Sequence, residues 1–168
     1  MAIKKTQRGF ALLVAVIFMT VMLTFGLSLG ALSYKQAVLA SGAQESQYAF
    51  YAADAGLECA LYADQQSGAF IYPLSDPGVA PSMSCDGIPA LSASEVWNTA
   101  YWVVTERLSL DSGTTHPRCA DVTIYKYKDA QANGTTSYLY SQGYDVSCGE
   151  VASSNNPRIV SRGINVHY

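Results

Sequence analysis

An uninterrupted apolar run near the start of the chain constrains the fold more than any other feature. Phe10–Leu32 reads FALLVAVIFMTVMLTFGLSLGAL, 23 residues without a charged side chain, Asn, Gln or Pro. As an α-helix this run is about 35 Å long, enough to cross a hydrocarbon core of about 30 Å. A cleaved secretory signal is the competing interpretation, but its apolar core usually has about 7 to 15 residues and ends at small residues. The sequence therefore predicts a retained membrane-spanning helix.

The charged residues around this run predict its orientation in the membrane, and the charge of the whole chain argues against some classes of partner. Lys4, Lys5 and Arg8 precede the run, and only Lys35 follows it closely. The positive-inside rule then places the N-terminus in the cytoplasm and the rest outside, as a single-pass protein of the cytoplasmic membrane. Beyond Gly9, the chain has seven basic and thirteen acidic side chains. This acidic balance argues against nucleic acid as a direct partner. A charged fraction of 14% argues against a fully soluble enzyme.

The helix is expected to continue beyond the apolar run. No proline occurs before Pro73, and residues 33–66 are rich in Ala, Gln, Leu and Glu, which favour helix. We predict one helix over 10–66, with a transmembrane or assembly half at 10–32 and an amphipathic half at 33–66. One face of the second half is expected to meet a packed partner, through residues spaced three or four apart: Tyr48, Tyr51, Ala52, Ala55, Cys59 and Tyr62.

The remainder of the chain is predicted to form a β head behind a connector. Residues 67–99 are expected to be a connector loop, because four of the six prolines fall within its first part. Ser92 is expected to cap a short turn there. In the head, at 100–168, four segments rich in Val, Ile, Thr, Tyr and Trp are strand candidates: 100–108, 119–128, 137–148 and 158–168. The predicted class is α+β, a long helix packed on a roughly four-stranded antiparallel sheet.

The four cysteines are predicted to form two disulfides. Cys59, Cys85, Cys119 and Cys148 all follow the apolar run, on the expected outer side of the membrane, where oxidation is permitted. Four thiols allow three pairings. If Asn133–Gly134 is a two-residue type I′ turn, Cys119 lies opposite Cys148, which leaves Cys59 for Cys85. A zinc site is the rival interpretation, but no CxxC or HxxxH spacing supports it.

That hairpin register contains a conflict. It places Val122 opposite Asp145, so the apolar sets of the two strands fall on different faces. A bulge at Gly143 restores one face but moves the two sulfurs apart. The cysteine pairing and the exact ladder are therefore separate predictions.

No pattern of catalytic residues is present. His116 and His167 are the only histidines, and neither has a local nucleophile or carboxylate pattern. We therefore predict no enzyme activity, no cofactor and no metal. The 12 tyrosines are expected to supply core and cross-strand packing, with an aromatic adhesive surface as the alternative.

Two segments carry a family resemblance. Lys4–Phe10, KKTQRGF, followed by the apolar run resembles the class III signal of type IV pilins and pseudopilins. Ala49–Glu58, AFYAADAGLE, resembles the end of the N-terminal region in PilX-like minor pilins. The resemblance implies the pilin fold and cleavage of the leader, residues 1–9, by prepilin peptidase. The cut falls between Gly9 and Phe10 and is followed by methylation of the new amino terminus. It also agrees with a disulfide between helix and connector.

The chain departs from the family pattern at one position. Most pilins carry Glu four residues beyond the mature start, where it is thought to neutralise the amine of a neighbouring subunit, but this chain has Val14. The pseudopilin that caps type II secretion filaments also lacks this Glu, so the departure favours a minor or tip subunit. Gly26 and Gly30 form a GxxxG step, which permits close helix packing or local melting during assembly.

The resemblance implies a structural function in a filament on the bacterial surface. The expected role is a minor or tip subunit of a type IV pilus or related filament, acting in assembly, adhesion or DNA uptake. The implied partners are other pilin subunits, prepilin peptidase, a platform membrane protein with its cytoplasmic ATPase, and the membrane before assembly. Two alternatives stay open: the major pilin of the filament, and a membrane-anchored extracytoplasmic binding module that does not polymerise.

Overall fold

The chain forms two helices and seven strands in the part that the structure describes. The computed structural model describes residues 8–85, 87–111, 113–128, 134–153 and 158–168. The elements are α1 (Arg8–Gln65), β1 (Ser84–Cys85), β2 (Ile88–Pro89), β3 (Ser92–Trp97), β4 (Tyr101–Leu110), β5 (Arg118–Lys128), β6 (Thr135–Tyr144), α2 (Cys148–Ala152) and β7 (Ser161–His167). The predicted α+β class is confirmed, with a long N-terminal helix and an antiparallel sheet.

The chain divides into two compact units, Met1–Ala43 and Gln44–Tyr168, and α1 supplies residues to both. In the first unit the side chains from Phe10 to Ser41 are exposed. The few hydroxyl groups of its apolar run are satisfied within the helix. For example, the Thr20 hydroxyl donates to the Ile17 carbonyl at 2.8 Å. The helix therefore leaves no unpaired hydroxyl group at Thr20, Thr24 and Ser28 of the apolar run, nor at Ser33 just after it.

The second unit, which we call the head, is built on an antiparallel meander. Its five-stranded sheet has the order β3-β4-β5-β6-β7, and β1 and β2 form a separate two-stranded sheet. Alternate residues of the central strands are buried on one face, including Val104, Leu108, Val122, Ile124 and Leu139. This period of two agrees with a sheet that has one covered face.

Small residues of α1 cover that face. Ala49, Ala53 and Ala60 are fully buried, and Gly56 lies over β5 and β6, where an added Cβ would come 2.8 Å from Ser141 Oγ. A Cβ on Gly143 of β6 would collide with the Ala53 nitrogen and the Ala49 carbonyl oxygen. Backbone therefore meets backbone at this crossing, and only residues without large side chains fit.

The buried face of α1 differs from the tyrosine face predicted from the sequence. Tyr51 and Tyr62 are 63% and 66% exposed. Of the six residues predicted to meet a packed partner, only Ala52 is buried. The physical reason is the close approach of helix and sheet, which selects Ala and Gly and turns the larger tyrosines outward.

The sheet has one more strand than expected, within the segment predicted as connector. β3 pairs with β4 from Ser92↔Arg107 to Trp97↔Trp102. Ser92 therefore starts a strand and does not cap a turn. Pairing with β4 outweighs the local capping signal, and the Glu95 carboxylate accepts a hydrogen bond from the Trp102 indole at 2.7 Å.

The β5–β6 register also differs from the prediction. Cys119 lies opposite Tyr144, and the ladder runs without interruption to Lys128↔Thr135. Six residues connect the strands, so the pairing is not centred on Asn133–Gly134; Asn133 itself lies outside the described residues. The observed register aligns Ile124 with Leu139, which matches the buried faces, and it contains no bulge at Gly143.

A short helix replaces the end of the predicted third strand. Ser147 caps α2, and its side chain accepts a hydrogen bond from the Glu150 N–H while the Glu150 carboxylate accepts one from the Ser147 N–H. This reciprocal capping box starts the helix at Cys148. The turn of the chain at Ser147, and not a cross-strand position, brings Cys148 to Cys119.

Candidate functional site

The first candidate site is the apolar surface of α1 in the first unit. Among the described residues, α1 is the one helix long and apolar enough to cross a membrane, and none of its most apolar stretch is buried within the molecule. Phe10, Leu27 and Leu39 are 74%, 67% and 73% exposed. α1 is therefore a candidate single membrane span.

The predicted processing and assembly residues lie on this surface. Gly9 and Phe10 are in the first turn of α1. The leader residues before Arg8 lie outside the described residues. Val14 is 40% exposed. An added Cβ at Gly26 or Gly30 would meet nothing within 4 Å. Neither glycine is therefore in close contact with another part of the described chain.

The head contains two disulfides, and they join the pairs expected from the sequence. Cys59 of α1 is bonded to Cys85 of β1, with Cα atoms 5.7 Å apart. Cys119 of β5 is bonded to Cys148 of α2, with Cα atoms 4.7 Å apart. The first links the helix to the segment that follows it, and the second fixes α2 on the sheet. Each bridge is worth about 2 to 4 kcal/mol of stability.

A buried ion pair, which the sequence reading missed, joins the end of α1 to the sheet. Lys126 Nζ lies 2.6 Å from Asp64 Oδ1, and the two side chains are only 7% and 6% exposed. The Lys126 ammonium also donates to Ser137 Oγ at 2.7 Å. The hydroxyl of the last residue, Tyr168, donates to the Asp64 carboxylate. Burial, together with this carboxylate, raises the pKa of Tyr168 to about 12.

The sequence did contain a signal for this pair. Lys126 has the same strand parity as Val122 and Ile124, the inward-facing residues of β5. A lysine at an inward position requires an acidic partner, because a buried unpaired charge is costly. The identity of that partner, 62 residues away in Asp64, depends on the tertiary fold.

Glu106 is a second buried polar residue on the inner face of the sheet. It is fully buried in β4, and its carboxylate accepts a hydrogen bond from the Met83 N–H at 2.9 Å. Burial raises its pKa, and the Met83 hydrogen bond partly offsets that effect. Glu106 thus connects the segment after α1 to the sheet.

A groove of about 520 Å³ lies beside the Cys59–Cys85 bridge. The Arg118 guanidinium stacks over the Tyr48 ring at 4.1 Å and forms an ion pair with Asp111 at 3.2 Å. The Arg118 guanidinium is thus already bound by a ring and a carboxylate. We therefore interpret the groove as part of the packing between α1 and β5 and not as a ligand site.

The two histidines lie in different parts of the head. His116 is exposed in the turn before β5, and the His167 ring stacks on Tyr138 with centroids 5.6 Å apart. Within the described residues, no group of three or more His, Cys, Asp or Glu side chains is arranged to hold a metal ion.

Comparison with known proteins adds no assignment. No family model matches the chain, and no curated protein or solved structure shows significant similarity to it. The functional conclusion therefore depends on the residues and geometry described above.

Proposed function

We propose that this chain is a structural subunit of a type IV pilus or a related filament, in a minor or tip position. The observation that carries the proposal is the uncovered apolar surface of α1, with the leader motif that precedes it. Large apolar side chains such as Phe10 and Leu27 lie exposed on a regular helix. Each such side chain forgoes about 1.5 to 3 kcal/mol if it remains in water.

The part of the chain that the structure describes buries none of this surface, so the surface needs another cover. Lipid covers it before assembly, and the helices of neighbouring subunits cover it in the filament. Transfer between the two is feasible because both are apolar and the backbone hydrogen bonds of a helix stay internal. Gly26 and Gly30, with open space around them, allow a neighbouring helix to approach closely.

Val14 supports the choice of a minor or tip position. An amino terminus buried among apolar helices requires a negative partner, and a valine side chain offers none. A subunit beyond which no further subunit is added does not need to provide that partner. The proposed partners are the other filament subunits, prepilin peptidase, and the platform protein with its ATPase.

The first experiment tests processing. Mass spectrometry of the chain purified from its own cells should give a mature mass that starts at methylated Phe10. Gly9→Val should abolish this processing, and Gly26→Ala should leave it intact as the matched control. An intact Met1 terminus in the mature protein would contradict the proposal and favour a membrane-anchored module that does not polymerise.

The second experiment locates the chain. Immunogold labelling of sheared surface filaments should place the label at filament ends or at sparse positions. Regular label along the whole shaft would instead identify the major subunit. Filaments without label, together with label on the cell membrane, would reject filament incorporation.

A further inference from the structure

The face of the five-stranded sheet that points away from α1, which we call the outer face, carries a row of aromatic rings. Tyr101 and Tyr127 have ring centroids 6.3 Å apart, and Tyr127 and Tyr138 have centroids 5.7 Å apart. Tyr125 stacks parallel to Tyr127 at 6.5 Å, and His167 stacks on Tyr138 at 5.6 Å. These five side chains form a continuous aromatic row across β4 to β7.

The aromatic row remains open to solvent. Tyr101, Tyr127 and Tyr138 are 36%, 42% and 44% exposed. A shallow trough of about 330 Å³ lies at one end, lined by Val96 and Val103 and by tyrosine rings of the row. The rings therefore pack against one another without being covered, and exposed apolar surface of this kind marks interaction sites.

The neighbouring rows of the outer face are polar but carry no unbalanced charge. Thr105, Thr123, Tyr140 and Asn165 follow one another across four strands. At the far end, Arg107 and Asp121 form a two-point ion pair at 2.7 and 2.8 Å. They are the only charged side chains on this face of β3 to β7, whose residues are all described.

We propose that the outer face binds a neutral polysaccharide. Sugar rings present apolar C–H faces and hydroxyl edges, and tyrosine presents the matching combination of an apolar ring and a polar tip. The adjacent hydroxyl and amide groups supply hydrogen-bond partners for the sugar hydroxyls. Rings that already contact one another lose little conformational entropy when a ligand binds.

Charge distinguishes this ligand from the other polymers that stack on aromatic rings. Single-stranded nucleic acid needs cationic side chains along its phosphates. The one cation of the outer face, Arg107, is held by Asp121, and the chain is acidic overall, with a net charge of −3. Tyrosine is also enriched in protein interfaces, but Thr105, Thr123 and Asn165 lie in the next row beside the rings, and their hydroxyl and amide groups suit the hydroxyls of a sugar better than the apolar core of a protein interface.

This binding does not depend on filament assembly, so it is tested on the single chain. The full-length protein in lipid nanodiscs is run by affinity electrophoresis through gels that contain hydroxyethyl cellulose, soluble starch or galactomannan as neutral probes. Alginate and oligothymidylate serve as anionic probes. We expect at least one neutral polymer to retard the protein and neither anionic polymer to do so.

Ring substitutions then locate the site. Tyr127→Ala and Tyr138→Ala should each weaken retardation about tenfold, as expected when a central aromatic contact is lost. Tyr138→Phe, which keeps the ring, should retain most of the binding, and thermal unfolding of the two alanine variants checks that their heads are folded. Tyr62→Ala, at an exposed tyrosine of α1 (66%), is the matched control and should not change it.

Several results would overturn the proposal. These are no retardation by any of the three neutral polymers, equal or stronger retardation by alginate or oligothymidylate, or unchanged retardation in the two alanine variants. Concentration-dependent self-association that the same variants abolish, without polysaccharide binding, would assign the face to a protein partner instead.

Discussion

The two parts of α1 expose and bury opposite kinds of residue. In the first unit, large side chains such as Phe10 and Leu27 are 74% and 67% exposed. In the head, Ala49, Ala53 and Ala60 of the same helix are completely buried. A helix that is buried only to remove apolar surface from water would show the reverse, because a large apolar side chain gains more from burial than alanine does.

The comparison separates two uses of helical surface. The head buries α1 where a small side chain lets the helix backbone approach the sheet, so shape decides which face is covered. The first unit keeps a broad apolar surface that is exposed among the described residues, as expected of a helix that meets lipid or other molecules. Substitutions in the head, with controls in the first unit, test this difference.

Gly143→Val should have the largest effect, because its side chain would collide with the backbone of α1 at Ala53 and Ala49. We expect a loss of about 5 kcal/mol or more, comparable with the whole unfolding free energy of a small domain. Near-UV circular dichroism of the chain in nanodiscs would show loss of fixed packing in the head. Gly26→Ala, with nothing within 4 Å, is the control in the other unit and should leave the head unchanged. A well-packed Gly143→Val head would contradict the backbone-to-backbone contact.

Asp64→Ala should destabilise the head by about 3 to 5 kcal/mol, because it leaves the Lys126 ammonium buried without its charge partner. The double variant Asp64→Leu with Lys126→Met should recover much of that loss, since no buried charge remains. Thermal unfolding of the three proteins measures the difference. Equal stability of single and double variants would show that the pair is not buried as described.

Removal of the Cys119–Cys148 bridge by the double change to Ala should cost about 3 kcal/mol. The effect should appear in the unfolding of the head and not in the membrane association of the first unit, which has no cysteine. Thermal melts and flotation with lipid vesicles measure the two properties. Loss of vesicle flotation in this variant would show that the head also takes part in lipid binding.

Glu106→Gln should change the pH dependence of the head. The folded chain holds the Glu106 proton more tightly than the unfolded chain, because burial raises the pKa of the carboxyl above its usual 4.5. The protonated Glu106 carboxyl therefore makes its full contribution to the free energy of unfolding below pH 4.5. This contribution is lost as the pH rises through the raised pKa of the folded chain. The variant should be more stable than the native chain by about 1 kcal/mol at pH 8, and the difference should vanish at pH 4. Parallel pH curves for the two proteins would reject this role.

Long elements with a clear period were predictable from the sequence. The helix expected over 10–66 is observed at Arg8–Gln65, and the strand expected over 119–128 is observed at Arg118–Lys128. These elements carry their own signals, namely helix-forming residues without proline and alternating β-branched and aromatic residues. Their existence therefore did not require knowledge of the contacts.

Short elements show why local signals are insufficient. Ser92 and Ser147 are each followed three residues later by Glu, the pattern of a capping box. Ser147 caps α2, whereas Ser92 begins an edge strand. The difference lies in the neighbours, because β4 offers a free edge to residues 92–97 while the Cys119 bridge holds the chain at Cys148.

Composition and local period are enough to predict the apolar helix, the strand-rich head and the four cysteines available for bridging. The folded chain was needed to show which face of α1 is buried, which residue lies opposite Cys119, and where the Lys126 charge is neutralised. These depend on backbone approach, strand register and contacts between residues distant in the chain. Such distances are set by the packing of the whole head, and no local stretch of sequence contains them.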